Sequence, residues 1–438
     1  MDHDRLLNST FQCQCGKTHS VPVRQIVYSE EAVAAIPDTL AAFTPGRRVL
    51  ILADQRTWSV AGEEAAWALQ QGGWDVSHTI VGDTQHGGPV CDDHTFEVLN
   101  AQLLPADILL AVGAGVINDL TKWLAAERDL PYAVLATAAT MNGYTAANVA
   151  PTIKGVKTLH VARAPLAVFA IPSVLSDAPF ELTAAGLGDV LAKPVSTADW
   201  LMNHLFLGEY FCPFCARLIN DLEPTYLDNP AAIREREPAA LAALFNALVY
   251  SGIAMTVVGT SAPASGGEHM LSHTLDMMSS VDAVPHDLHG RQVGLGTIFA
   301  CALYEQVLAI DTPEPVALPQ SIDSSFWRHL APNVAEQYRN KQPLMKTIAE
   351  KITDPQTWNN FRDAVGAHVR APQEIKDCLS KAGAAHAYAD INCTRDRLKA
   401  AILHMHEIRK RPTVVDLAWL LGILPQATDH LVDQYLAA

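Results

Sequence analysis

Leu109-Leu110-Ala111-Val112-Gly113-Ala114-Gly115-Val116-Ile117-Asn118-Asp119 passes from an unbroken apolar run, through three small residues, into a stretch with helical spacing. An apolar run closed by glycine and followed by a helix reads as a buried strand of a parallel sheet. The missing bulk at Gly113 and Gly115 lets the backbone approach a diphosphate, and the helix start offers it unpaired N–H groups. The match to Gly-x-Gly-x-x-Gly is incomplete, because Asn118 occupies the third glycine position. A tight turn requiring positive φ would account for the two glycines equally well.

The same texture extends on both sides. Val49 to Ala53, Trp74 to Val81, Tyr132 to Thr137 and Leu166 to Ile171 read as strands, with helices expected at 62–71, 93–103 and 117–126 and a hairpin between the last two strands. Ligands of such sheets lie at the carboxyl ends of the strands, where Asp54, the 113–119 loop and the 137–146 loop fall. Asp54 is then a candidate for the adenosine ribose, with a helix cap as its alternative reading. Beyond residue 176 alanine- and leucine-rich stretches take over, as in 239–259 and 398–410. The expected organisation is an α/β Rossmann-like domain over 1–175, its first 45 residues an extension, and an all-α domain over 176–438. The two are expected to close around a shared cleft, with 313–319 as a proline-rich connection.

Composition narrows the function classes. The 438 residues are 49% apolar and 18% charged, enough for a large core. A formal charge of −16 argues against nucleic acid as a partner. No apolar run reads as a membrane span, and an acidic start, Met1-Asp2-His3-Asp4, is unlike a secretory leader, so a cytoplasmic protein is expected. Two cysteine pairs stand out, Cys13 and Cys15 followed by Gly16 and His19, and Cys212-x-x-Cys215. A zinc site from both is conceivable, but neither spacing matches a finger, and unligated buried thiols are the favoured reading.

Three segments of the helical half place histidine or carboxylate beside glycine: Asp189 after Gly188, His269 and His273 after Gly266-Gly267, and His289 before Gly290. His269 and His273 share a helix face, as does Asp276, a candidate to orient a ligand histidine. One carboxylate and two imidazoles from separate helices would leave open positions on a divalent metal. Seventeen histidines also make chance pairs common.

Taken together, these segments resemble the glycerol-1-phosphate dehydrogenases, within the superfamily of iron-type alcohol dehydrogenases and dehydroquinate synthases. The resemblance is carried by the Gly113 to Lys122, Ala136 to Tyr144, Ala184 to Lys193, Ala198 to Trp200, Ser265 to His273 and His289 to Gly294 segments. It implies a dehydroquinate synthase-like fold, a homo-oligomer, and a polyol phosphate substrate interconverted with its ketone by NAD or NADP and one divalent metal: zinc, nickel or iron. It implies Asp189, His269 and His289 as metal ligands and His273 beside the substrate. Asp54, Gly113, Gly115, Val116, Ile117, Asn118, Asp119, Thr137, Ala138, Ala139, Thr140 and Ala146 would hold the dinucleotide. Lys193 and Arg291 are candidates for the substrate phosphate.

The chain departs from the family pattern where Asn142 stands in place of an acid, Ala139 and Thr140 in place of proline and serine, and Ala146 in place of serine. An amide can bond a hydroxyl but cannot act as a base, which bears on Asn142 as a catalytic residue. The alternatives are a dehydroquinate synthase-like cyclase and a non-catalytic relative that binds nucleotide or metal.

Overall fold

A computed structural model describes residues 3–84 and 87–437. The chain forms two compact units, one from Met1–Gly186 with Arg217–Thr260 and the other from Leu187–Ala216 with Ser261–Ala438. The division therefore lies eleven residues past the boundary read at 175/176, and 217–260 returns to the first unit.

The first unit is built on a six-stranded parallel sheet. A small hairpin, β1 (Thr10–Gln12) and β2 (Thr18–Ser20), precedes it. The sheet strands are β3 (Gln25–Tyr28), β4 (Arg48–Ala53), β5 (Asp75–Ile80), β6 (Ile108–Gly113), β7 (Tyr132–Ala136) and β8 (Ala167–Ala170), in the order β3-β8-β7-β6-β4-β5. Every pairing is parallel. All six residues of β6 are buried, as its continuous apolar run requires of a central strand covered on both faces. Each Leu, Ile or Val so buried contributes about 1.5–3 kcal/mol. Helices Ala32–Phe43, Glu63–Gln71, Asp93–Ala101 and Gly115–Glu127 make the connections. Two antiparallel two-residue pairings, 148–149 with 160–161 and 152–153 with 156–157, form the region read as a hairpin.

The chain runs from β4 to β5 on one side and continues with β6 on the other, so the strand order reverses between β4 and β6. That is the switch point at which sheets of this kind accept a ligand. Asp54 follows β4 and Gly113-Ala114-Gly115 follows β6.

Two readings change. The first 45 residues are no mere extension, because β3 is the edge strand beside β8 and Ala32–Phe43 covers the sheet. Helix Pro238–Val258 is long and apolar enough to cross a membrane, contrary to the reading that no such run exists. It is the core helix of the first unit, with 72% of its apolar window buried.

The second unit is helical. Its centre is made by the last turn of Phe180–Leu191, by Lys193–Leu207, and by Gly267–Asp282 packed on His289–Leu308. Two glycines set the approach of these helices. A Cβ on Gly188 would lie 2.1 Å from the Gly290 carbonyl oxygen, and one on Gly296 would lie 2.0 Å from that of Glu268. Backbones in such contact admit no side chain, and this closeness brings residues 189, 269 and 289 together.

Candidate active site

Carboxylate and ring-nitrogen atoms of Asp189, His269 and His289 lie within 4.8 Å of one another. Asp189 and His269 are buried, and His269 Nε2 is 3.5 Å from Asp189 Oδ1. The second nitrogen of each ring has its own partner. Glu268 Oε1 accepts from His269 Nδ1 at 2.7 Å and from the Gly266 N–H at 2.6 Å. Ser272 Oγ lies 2.9 Å from both His289 Nδ1 and Gln292 Oε1. A hydroxyl has one proton, and with Gln292 Oε1 receiving it, Ser272 accepts from His289 Nδ1–H. In its neutral form each imidazole then keeps its proton on Nδ1 and has Nε2 as the lone-pair nitrogen, the arrangement that orients metal-binding histidines. Burial opposes protonation of His269, but the Asp189 and Glu268 carboxylates outweigh it and raise its pKa above the ordinary histidine value. This donor set fits a divalent cation.

The helix that carries His269 is anchored at its start. Asp199 is buried; its Oδ2 accepts from the Gly267 N–H at 2.5 Å, and its Oδ1 accepts from Tyr304 Oη at 2.6 Å and the Val414 N–H at 2.7 Å. Burial, reinforced by the nearby Glu268 charge, pushes the Asp199 carboxyl up to about 7.

His273 is on the same helix, its ring 6.0 Å from that of His269 and 5.6 Å from that of His289. Arg409 Nη2 is 3.5 Å from His273 Nε2, while Arg409 Nη1 is buried with no partner. Burial, with Arg411 nearby, lowers the Arg409 guanidinium to about 9. The helix read over 398–410 ends at His404, and after a 3₁₀ turn Arg409 adopts a left-handed φ of 59° that turns the chain. Its neighbour Arg411 donates to the Ser265 carbonyl.

The phosphate candidates read from the sequence have other commitments. Arg291 Nε is 2.9 Å from Asp287 Oδ1 and its Nη2 donates to the Asp390 carbonyl. Lys193 Nζ is buried and donates to the Pro263 carbonyl at 2.6 Å. Asp276 Oδ1 lies 3.0 Å from Nδ1 of the exposed His286.

In the first unit, helix Gly115–Glu127 begins with Ala114 in extended conformation and no side-chain cap. The N–H groups of Gly115, Val116 and Ile117 therefore remain for an anion. A Cβ on Gly113 would stand 2.7 Å from Ile117 Cβ, so glycine there serves strand-to-helix packing. Asn118 is buried and donates to Asp119 Oδ1 at 3.0 Å. Lys122, whose role the sequence does not disclose, is fully buried and donates to the carbonyls of Gly143 at 2.6 Å and Asn148 at 3.0 Å. It ties the 137–148 loop to the helix.

That loop is fixed elsewhere as well. Thr137 N–H donates to the Gly113 carbonyl at 3.3 Å, and Tyr144 Oη to that of Ala138 at 2.6 Å. Thr140 Oγ1 is 3.5 Å from Tyr144 Oη, and Ala146 N–H donates to the Gly143 carbonyl at 3.2 Å. A Cβ on Gly186 would meet the Ala139 carbonyl oxygen at 2.0 Å, and one on Gly252 the Asn142 carbonyl oxygen at 2.5 Å. Asp54 caps the short helix after β4, its Oδ1 accepting from the N–H groups of Arg56 and Thr57 at 2.8 and 3.0 Å. The capping alternative is thus realised, and the second oxygen is 3.4 Å from Arg56 Nη2. Arg56 in turn is paired in a fork with Asp83 at 2.7 and 2.8 Å.

The family described as iron-containing alcohol dehydrogenase matches residues 27–179. Glycerol-1-phosphate dehydrogenase [NAD(P)+] of Geobacillus stearothermophilus is 32% identical over 83% of this chain and 88% of its own length. The enzyme of the same name from Thermococcus sibiricus is 30% identical over 64% and 77%. Among solved structures, glycerol dehydrogenase from Schizosaccharomyces pombe superposes with a TM-score of 0.61 at 16% identity, covering 94% of this chain and 91% of that one. Maleylacetate reductase from a Rhizobium strain gives 0.61 at 15% over 95% and 97%.

Proposed function

The chain belongs to the glycerol-1-phosphate dehydrogenases, and from that premise we propose that it interconverts sn-glycerol 1-phosphate and dihydroxyacetone phosphate, with Asp189, His269 and His289 holding the metal. It is a metal- and NAD(P)-dependent alcohol dehydrogenase. The observation that carries the residue assignment is the pair of imidazoles held through Nδ1, one by Glu268 and one by Ser272, beside a buried carboxylate. Such a set suits zinc, nickel or iron. When bound, the ion supplies Lewis acidity that makes a secondary hydroxyl acidic near neutral pH, and NAD(P) supplies the hydride acceptor.

The chain's residues do the rest. His273 accepts the hydroxyl proton and passes it to solvent. Arg409, with Nη1 unpartnered, offers the substrate phosphate a buried guanidinium, and Arg411 adds a second positive charge. These two replace Lys193 and Arg291 as the phosphate residues, and they answer how a chain of charge −16 receives an anion. The N–H groups of Gly115, Val116 and Ile117 receive the dinucleotide diphosphate, and Asp54 the ribose. Asn142, held through its backbone, offers an amide to a substrate hydroxyl and no base. A homo-oligomer in the cytoplasm is the setting this reading carries, with nucleic acid and membrane as no part of it.

The test is oxidation of NADH with dihydroxyacetone phosphate. Turnover abolished by a chelator and restored by zinc or nickel supports the proposal. Tight NAD binding with no turnover on any polyol or polyol phosphate would instead make the chain a non-catalytic relative.

A further inference from the structure

The hairpin β1–β2 raises a separate question, namely what keeps it folded. Its strands have three residues each, paired as Thr10 with Ser20, Phe11 with His19 and Gln12 with Thr18, and most of their side chains face solvent. An isolated two-stranded hairpin is marginal in water. This one persists to the edge of the sheet through backbone bonds from Val21 to Ser9 and from Asn8 to Val23, both 2.8–2.9 Å, and leads directly into β3.

Its turn gathers metal-binding chemistry. Cys13 N–H donates to the Lys17 carbonyl at 2.9 Å, and Gly16 N–H to that of Cys13 at 3.0 Å. Gly16 makes the reversal with a φ of +86°, which a side chain would resist. The turn places Cys13 Sγ, Cys15 Sγ and a ring nitrogen of His19 within 4.8 Å of one another. Cys15 Sγ is 3.3 Å from His19 Nε2, and none of the eight cysteines is in a disulfide. His19 is 3% exposed, although the residues on either side of it are solvent-facing, and the Phe11 ring meets its ring edge-on at 5.7 Å. With zinc–sulfur bonds of about 2.3 Å and zinc–nitrogen bonds of about 2.0 Å, tetrahedral ligands stand roughly 3.5 Å apart, close to the spacing of Cys15 and His19.

We propose that Cys13, Cys15 and His19 form a second, structural metal site that binds a thiophilic divalent cation, zinc foremost, and fastens the hairpin in front of the sheet's edge strand. Both thiols lose their protons on binding, the imidazole binds neutral, and a fourth position remains for a further donor or water. Half-exposed Cys13 and Cys15 depart from the expectation of buried, unligated thiols.

The two sets can be read apart because Asp189, His269 and His289 contain no sulfur. The full-length protein, reduced and stripped of metal, is titrated with cobalt(II). Thiolate ligation produces an intense sulfur-to-cobalt charge-transfer band in the near ultraviolet, which the sulfur-free set cannot give. The wild type is expected to develop this band as up to two equivalents of cobalt are added, one for each site, and to lose it when zinc is added. The double variant Cys13→Ser/Cys15→Ser is expected to lack it and, by elemental analysis after zinc loading, to hold one zinc fewer per chain. Absence of the band in the wild type, where folding of a variant is not at issue, overturns the proposal. So does a band or zinc count that the double variant leaves unchanged.

Discussion

On the proposed reading, the 113–119 loop and the Asp189–His269–His289 set bind a charged group in opposite ways. In the loop the proposed donors are backbone N–H groups at a helix start; the bare Cα of Gly113 and the side chains of Lys122 and Tyr144 only hold the backbone in place. In the helical unit the side chains of Asp189, His269 and His289 would themselves be the donors, and Glu268, Ser272, Gln292 and Asp199 hold them or their helix in place. A backbone site tolerates replacement of side chains that leave its path unaltered. A side-chain site does not. This explains how the chain can carry Ala139, Thr140 and Ala146 in the loop while keeping every member of the ligand set.

Experiments can break that contrast, beginning where the largest effect is expected. His289→Ala removes a ligand and should lower dihydroxyacetone phosphate turnover by at least about 10³-fold, given the several kcal/mol that a Lewis-acidic ion supplies. Elemental analysis of the same variant should show the loss of one metal per chain; unchanged content would remove His289 from the set. Arg409→Ala should reduce kcat/KM for dihydroxyacetone phosphate by about 10- to 150-fold, the equivalent of about 1.5–3 kcal/mol for bonds to a charged group. Its turnover of unphosphorylated glycerol should fall much less, and an equal loss on both would argue against a phosphate contact.

Ser272→Ala leaves all ligands in place but frees the His289 ring, so metal affinity should fall by about 10- to 100-fold. Competition with a chelator reads this directly. Asp199→Asn puts an amide N–H₂ or a lone carbonyl where Gly267, Tyr304 and Val414 all donate, and should cost about 1–3 kcal/mol of stability. The pH dependence has a definite sign. The folded carboxyl titrates near 7 and the unfolded one near its ordinary value of about 3.9, so the folded state holds the extra proton between those values. The stability gained from Asp199 is thus full below about pH 4 and lost as pH rises to about 7. The melting-temperature gap between wild type and Asp199→Asn should narrow over that window, and a gap that widens would contradict the assignment. The smallest effects belong to the loop: Ala146→Ser adds one hydroxyl at a buried position and leaves the backbone path unaltered, so the KM for NAD should change by less than about threefold, under about 0.7 kcal/mol.

The sheet was legible because its strands announce themselves by composition. β6 is apolar from end to end, and glycine marks where it stops. β3 escaped notice because it is a four-residue edge strand, half-buried throughout, beginning with Gln25 and carrying no alternation to betray it. The proposed ligand set stood out through the glycines flanking its members, and the structure brings those members together by the close helix approach at Gly188 and Gly296. Arg409 was not, since 136 residues separate it from His273 and a non-glycine residue gives no warning of a left-handed backbone. Lys193 and Arg291 are suggested by proximity in sequence to Asp189 and His289. Their partners, Pro263 for one and Asp287 with Asp390 for the other, are features of the folded helices only.

The central claim is that Asp189, His269 and His289 hold the ion on which polyol-phosphate oxidation depends. The direct measurement is dihydroxyacetone phosphate-dependent NADH oxidation by metal-stripped wild type and metal-stripped His289→Ala as zinc or nickel is returned. The account predicts that turnover reappears in the wild type as metal is added and never in the variant. Recovery in both alike, or wild-type turnover that survives complete removal of metal, would contradict it.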